Sequence, residues 1–420
     1  MDFTTLVIIV FVMGYLGIVL EHPLKINKTA SALLTGVLCW SIYAIAEHQA
    51  EEVNEKLAEH LSEIAQILFF LLGAMTIVEL VDAHQGFRLI TDRIKTRYPV
   101  VLLWIIAVVT FFLSAILDNL TTSIVMVSLL RKLLSDLHQR RIFAAIVIIA
   151  ANSGGAWSPI GDVTTTMLWI GGQISTLHIM KVGFIPSLVS TLVPLIYFSF
   201  RIRGNLPSPP TPAPIENALH SRIMLFMGVG ALVFVPIFKT ITHLPPYMGI
   251  LLGLAVVWMI SELLNSDKDE AEKENLSVAH ALSKVDTSSI LFFLGILVAV
   301  SALSSVGVLI KLAQGMNTYF GNLNIIVIGI GLASAVIDNV PLVAAAMQMY
   351  DLTTYPMDHH LWAFMAYCAG TGGSILIIGS AAGVAVMGME KVEFFWYFRH
   401  ISLITLLGYL AGAGVYLLLA

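Results

Sequence analysis

Charged residues make up only 12% of this 420-residue chain, about half the share of an ordinary soluble domain. Cysteine is nearly missing. Cys39 and Cys368 both lie in apolar stretches, so no disulfide framework or zinc site follows from them. Basic excess is missing as well: the net charge is −5, which implies no nucleic-acid partner. The strict apolar–polar alternation of barrel strands does not occur, and this excludes a membrane β-barrel. No basic segment opens the chain. Asp2 precedes the uncharged run 3–20, which therefore reads as a first spanning helix and not as a signal peptide. What fills the sequence is apolar: 58% hydrophobic residues, with a mean hydropathy of +0.88. A soluble globule cannot hide that much apolar surface, so the fold class is all-α integral membrane protein.

Runs long enough to span lie at 3–20, 29–46, 64–83, 142–170, 184–200, 223–241, 247–263, 287–310, 363–388 and 395–419, ten in all. The acid-rich stretch Glu47–Glu63 reads as a surface helix on the outer side of the membrane. Two further apolar stretches, 98–134 and 324–349, do not fit as simple crossings. The first lies between two basic segments, Arg88–Arg97 and Arg131–Arg141, which both belong on the cytoplasmic side. A re-entrant hairpin turning at Asp118-Asn119 satisfies both flanks, and such backbone survives only when buried in protein or lining a cavity. With this topology, 18 of the 22 Lys and Arg residues fall on the cytoplasmic side of the inner membrane and both termini face the periplasm. The Pro-rich run Leu206–Pro214, within a cytoplasmic linker at 206–220, divides the chain into halves at 1–205 and 221–420.

The halves share landmarks in one order. Phe70-Leu-Leu-Gly73 resembles Phe292-Phe-Leu-Gly295. Ser114-Ala-Ile-Leu-Asp118-Asn119 matches Ser334-Ala-Val-Ile-Asp338-Asn339, and Asn152-Ser-Gly-Gly155 matches Gly370-Thr-Gly-Gly373. Each half holds five crossings and one hairpin, and an odd count turns the second half upside down. Two inverted repeats with unwound helices (142–170 and 363–388) at the midplane are the architecture of secondary transporters.

Four acids lie well inside apolar runs: Glu79, Asp118, Asp162 and Asp338, with no Lys or Arg at comparable depth. A lone carboxylate in hydrocarbon costs at least ~2.5 kcal/mol, so a proton or a bound cation is expected. The two Asp-Asn tips offer the oxygen ligands that a hard monovalent cation takes. Ser114 and Ser334 lie one helical turn before the tips, on the same face as the carboxylates. Thr121 and Thr122 follow the first tip, whereas Val340-Pro341 follow the second. In Asn152–Asp162 the glycines and Pro159 rule out a regular helix, which exposes carbonyls and brings Asn152, Ser153 and Asp162 to the site. Asp162 is a third ligand, a second proton carrier, or a cap at a hinge. Thr371 and Ser374 supply hydroxyls in the matching segment, where Ser380 replaces Asp162. Glu79 is either a proton relay or pH-sensing group, or an interface carboxylate reaching toward Arg88. Asp286, ahead of Thr287, caps a helix or faces the site, and the residues favour the cap.

The hairpin Phe111–Ser123 and the segment Asn152–Asp162 resemble those of NhaD-type sodium/proton antiporters, and the resemblance runs over essentially the whole chain. It implies a scaffold domain that dimerises, a transport domain that moves, and exchange of external protons for internal sodium or lithium, with no cofactor. It also implies functional roles for Glu79, Asp286 and Thr287. Two other readings stand beside it: an anion carrier of the same superfamily (arsenite or di- and tricarboxylates), and an intramembrane aspartyl protease built on Asp118 and Asp162.

Overall fold

The computed structural model describes residues 2–47, 50–94, 96–202, 215 and 217–419, and most of those residues are helical, with no strand among them. The Pro-rich run Leu206–Pro214 lies outside the described residues. The longer helices in the first half are α1 (Phe3–Val19), α2 (Lys28–Glu47), α3 (Ala50–Ala83), α4 (Pro99–Ser114), α5 (Asn119–Leu133), α6 (Leu137–Ala156), α7 (Val163–Ile170) and α8 (Thr176–Arg201). The second half supplies α9 (Ala218–Thr242), α10 (Pro246–Leu264), α11 (Thr287–Ser305), α12 (Val308–Phe320), α13 (Leu323–Ala333) and α14 (Asn339–Met349). It closes with α15 (His360–Gly372), α16 (Ala381–Glu390) and α17 (Leu403–Leu419).

Among the described residues, seven helices are each long and apolar enough to cross a membrane, so the protein is a multi-pass membrane protein. They account for seven of the ten expected spans. The other three are the 17-residue α1 and two spans that are each divided in two, α6 with α7 and α15 with α16.

Four boundaries depart from the expectations. The acid-rich stretch is not a separate surface helix: α3 runs unbroken for 34 residues. No Gly or Pro interrupts it before Gly73, and at 1.5 Å per residue it is about 51 Å long. That exceeds the ~30 Å hydrocarbon core by about 20 Å. The run 287–310 is not one helix either, because Gly307 takes a left-handed conformation (φ +73°) and ends it. The chain then continues as α12, which meets α13 at 116°. Gly154 and Gly155 do not break α6, which continues to Ala156. They are packing glycines. A Cβ on Gly154 would collide with the Phe111 carbonyl of α4, and one on Gly155 with the Gly161 carbonyl. The break comes instead at Trp157–Asp162, around Pro159. The linker also ends sooner than residue 220. Asn217 accepts a hydrogen bond from the His220 backbone amide at 3.2 Å and starts α9 at Ala218.

Packing sorts the helices into two groups. In one, α2 crosses α11 and α1, while α3 packs on α9, α10 and α11. In the other, the hairpin α4–α5 packs on α6, the hairpin α13–α14 on α15, and α8 on α17; α6 and α15 join these parts. The groups meet through α11 against α14 and α3 against α7. Two junctions stiffen the first group. At the α2–α11 crossing, a Cβ on Gly36 would sit 2.7 Å from the Gly295 carbonyl oxygen. At the end of α3, the buried His84 donates from Nδ1 to the Leu80 carbonyl at 2.8 Å and accepts at Nε2 from Asn265 Nδ2 at 3.1 Å. Ser221 of α9 donates to the His84 carbonyl at 2.6 Å.

Both junctions give testable outcomes. Gly36→Leu overpacks the crossing and should cost about 1–3 kcal/mol, seen as a lower unfolding temperature in detergent. Burial pushes the His84 pKa below the ordinary histidine value. The Leu80 carbonyl partly offsets this, while Lys268 and His220 add to it. The folded state therefore binds that proton less tightly than the unfolded chain. The stability from neutral His84 is complete above about pH 6.5 and falls as pH drops below it. Between about pH 7.5 and 5.5 the wild-type unfolding temperature should fall more steeply than that of His84→Gln.

Candidate ion-binding site

Each hairpin closes through a short non-helical turn whose Asp caps the returning helix. Asp118 accepts from the Thr121 amide at 2.8 Å and the Thr121 hydroxyl at 2.6 Å, and so starts α5. Asp338 accepts from the Val340 amide at 3.2 Å and starts α14. Pro341, the third residue of α14, lies within its first turn, where a missing amide costs little.

Ser114 and Ser334 do not turn toward the carboxylates. Both are fully buried and bond to the helix beside their hairpin. Ser114 donates to the Ala151 carbonyl at 2.6 Å, and Ser334 donates to the Ala369 carbonyl at 2.8 Å. These matched bonds tie α4 to α6 and the end of α13 to α15, fixing each tip beside a broken helix.

Between the tips lies Asp162, 2% exposed, at the end of the break before α7. It starts that helix but makes no side-chain cap bond. Its Oδ1 accepts from Asn119 Nδ2 at 3.1 Å. Its Oδ2 accepts from Asn339 Nδ2 at 3.3 Å and from the Thr164 hydroxyl at 2.5 Å. One buried carboxylate thus holds the asparagines of both hairpins. Asn152 completes the network: its Oδ1 accepts from Asn119 Nδ2 at 3.0 Å, and its Nδ2 donates to Ser374 Oγ at 2.8 Å and Ser380 Oγ at 2.9 Å. A Cβ on Gly370 would sit 3.1 Å from Asp162 Oδ2, so this glycine lets α15 approach the carboxylate. The Thr122 and Thr165 hydroxyls are buried without a hydrogen-bond partner.

The remaining candidates lie at varying distances from this network. Ser153 meets Ser190 of α8 at 3.4 Å, and Thr371 donates back to the Tyr367 carbonyl of its own helix at 2.6 Å. Asp286 caps α11, accepting from the Ser289 amide at 3.1 Å and the Ser289 hydroxyl at 2.5 Å. Thr287 is the exposed first residue of that helix. Glu79 is half-buried on α3, within electrostatic range of Asp82, Asp118 and Lys284. A cavity of about 50 Å³ adjoins the first tip, lined by Asp118 and Asn119 with Phe70, Met75, Ser289 and Phe293 from the other helix group. That is room for a few waters or a partly hydrated ion. A wider gap of about 410 Å³ opens further along α3 and α11, between His60, Glu63, Ser301, Gln173, Met347 and Gln348.

The expectation that no basic residue reaches this depth fails for Lys28. Its Nζ lies 3.4 Å from Asp338 Oδ2 and 4.3 Å from the centre of the Phe292 ring. Lys28 is the first residue of α2, and its long stem carries the ammonium inward from the helix end. Residue positions gave no sign of that reach. Thr164 and Ser289 escaped notice as ordinary hydroxyls. Glu390 escaped too. Its side chain is fully buried at the end of α16, paired with Arg131 Nε at 2.7 Å and with Arg140 Nε. Arg131 also donates to the Met389 carbonyl, and Arg141 to the Lys391 carbonyl at 2.9 Å. This cluster clamps α5 and α6 to α16.

The sequence profile described as "Citrate transporter" matches residues 8–365. "Sodium/proton antiporter 1" of Arabidopsis thaliana is 52% identical over 412 residues, covering 97% of this chain and 71% of that protein. The Na(+)/H(+) antiporter NhaD of Vibrio cholerae is 31% identical over 451 aligned positions, covering 98% of this chain and 91% of that one. This chain belongs to the NhaD-type sodium/proton antiporter family. Among solved structures, the YdaH transporter of Alcanivorax borkumensis shares the fold, with a TM-score of 0.57 at 13% identity over 87% of this chain and 88% of that one.

For this family member the Glu390 clamp yields a stability test. Removing the carboxylate leaves two guanidinium groups facing each other without their shared anion, a loss of about 3–5 kcal/mol for a buried pair. Glu390→Gln should lower the unfolding temperature sharply. Arg140→Ala should cost more than Arg131→Ala, since Arg131 is 46% exposed and Arg140 only 19%.

Proposed function

We propose that the protein exchanges sodium or lithium ions for protons across the cytoplasmic membrane by elevator-type alternating access. It is a transporter and not an enzyme. The observation that carries the reading is Asp162, a buried carboxylate reached by the tip asparagines of both hairpins. Asp162 and Asp338 lie within electrostatic range of each other and Asp118 lines the cavity at the first tip, and a proton and a sodium ion compete for these carboxylates. Burial favours the neutral, protonated acid, whereas a cation among the oxygens favours the ionised one. One occupant therefore expels the other, and that exclusion couples the two fluxes. The Asn119 and Asn339 carbonyl oxygens, the unpaired Thr122 and Thr165 hydroxyls and the carbonyls of Trp157–Gly161 are the supplementary ligands. Glu79 relays protons between Asp118 and the cytoplasm. Asp286 supports the site through Ser289, which lines the cavity at Asp118, and Thr287 starts the helix that carries Ser289.

In this reading the two halves are inverted repeats, with both hairpins re-entrant and both termini periplasmic. The group containing α2, α3, α9, α10 and α11 is a scaffold that dimerises, and the hairpin group is the moving body. Support comes from the repeated element order, the paired serine bonds and the few helix pairs through which the groups meet. The matching family profile carries the description of a citrate carrier, so a carboxylate-transporting reading has one observation behind it. Carboxylates at both tips and at Asp162 repel such an anion. The protease reading fails on geometry as well: Asp162 bonds to amides and a hydroxyl, not to a second carboxyl with which it shares a proton.

In proteoliposomes carrying a pH-sensitive dye, sodium or lithium should drive proton movement while choline does not. Asp118→Asn, Asp162→Asn and Asp338→Asn should each abolish it. Proton movement indifferent to every cation, or citrate uptake in its place, would overturn the proposal.

A further inference from the structure

Lys28 and Asp338 belong to different helix groups. Lys28 opens α2, which packs on α11 and α1, whereas Asp338 is the tip of the hairpin α13–α14, which packs on α15. Their ion pair is thus a bridge between the two bodies, with the ammonium 23% and the carboxylate 14% exposed. Tethers hold Lys28 in place. Its backbone amide donates to Glu21 at 3.1 Å, its neighbour Thr29 donates to the Ser288 carbonyl of α11 at 2.9 Å, and its ammonium sits over the Phe292 ring. Among the described residues, the titratable groups shown to interact with Asp338 are Lys28 from α2, Asp162 from the broken helix and the neutral, buried hydroxyl of Tyr15 from α1. Among these, Lys28 supplies the one positive charge.

Resting on the antiport reading above, we propose that Lys28 is a tethered counter-cation that holds the empty carrier still. An ionised Asp338 without cargo attracts the ammonium, and the hairpin body stays docked on the scaffold. Cargo at Asp338 takes the carboxylate away from Lys28, and the body is released. The pair thereby bars the movement of an unloaded site, which is the step that would let sodium run down its gradient without protons. Lys28 is a positioning residue: it acts on the cargo through Asp338.

The test measures protons moved per sodium ion in proteoliposomes, from dye and tracer-sodium traces on the same vesicles. Wild type supplies the reference, and absence of sodium-dependent proton flux there would overturn the antiport reading itself. Lys28→Gln should keep moving sodium but with fewer protons per ion than wild type, and Lys28→Arg, which keeps the charge, should restore the ratio. A Lys28→Gln ratio equal to wild type would overturn the proposal, since a merely structural role slows both fluxes alike. A second measurement needs no variant. A membrane-permeant carbodiimide should form a Lys28–Asp338 amide, detected by mass spectrometry, in choline buffer, and sodium should suppress it. An amide yield that sodium leaves unchanged, or no amide at all, would equally overturn it.

Discussion

A carboxylate taken out of water must be met by donors, and Asp162 is met from three directions: Asn119 from one hairpin, Asn339 from the other, and Thr164 from its own helix. Much of the hairpin body is arranged to make that meeting possible. Two helices stop short so that their ends converge. Gly154 and Gly155 let backbones close to distances that any side chain would prevent, and Gly370 leaves room beside the Asp162 carboxylate. Ser114 and Ser334 fasten each hairpin to the neighbouring helix by a bond to a carbonyl. The neutral asparagine amides satisfy the carboxylate without neutralising it, so a site wired this way retains its appetite for a cation.

The same economy of charge shapes the rest of the molecule. Ionic contacts concentrate away from the site, as in the Glu390 cluster that clamps α5 and α6 to α16. Where a cation does approach the site, it comes from the opposite helix group, through Lys28. Among the described residues, the buried ion pairs lie within one body at Glu390, and one pair, Lys28 with Asp338, joins the two bodies.

Much of the helical frame was legible in the sequence, because hydrophobic run length and the bilayer thickness leave few alternatives. The break near Pro159 was legible to within a few residues. Its glycines were misread, because a glycine that weakens an isolated helix also permits close packing, and only the neighbour reveals which role it plays. The acid-rich stretch went wrong for a related reason. Polarity ended the membrane span but not the helix, whose backbone bonds have no need of an apolar surface. The tip aspartates and asparagines stood out as polar residues in apolar runs. Lys28, Thr164, Ser289 and Glu390 did not, because each lies where its residue type is ordinary; Lys28 and Glu390 matter through partners far away in the chain, and Thr164 and Ser289 through aspartates two or three residues away. Long side chains defeat depth arguments most readily: Lys28 sits at a helix end, but its ammonium does not.

The gap of about 410 Å³ between α3 and α11 on one side and α7 and α14 on the other is bounded by surfaces from both helix groups. If those surfaces slide, the gap opens and closes with them, and water equal to its contents enters and leaves once per cycle. Transport then does mechanical work against the solvent. Its rate acquires an activation volume, so that osmotic stress and hydrostatic pressure become variables that set the speed of exchange.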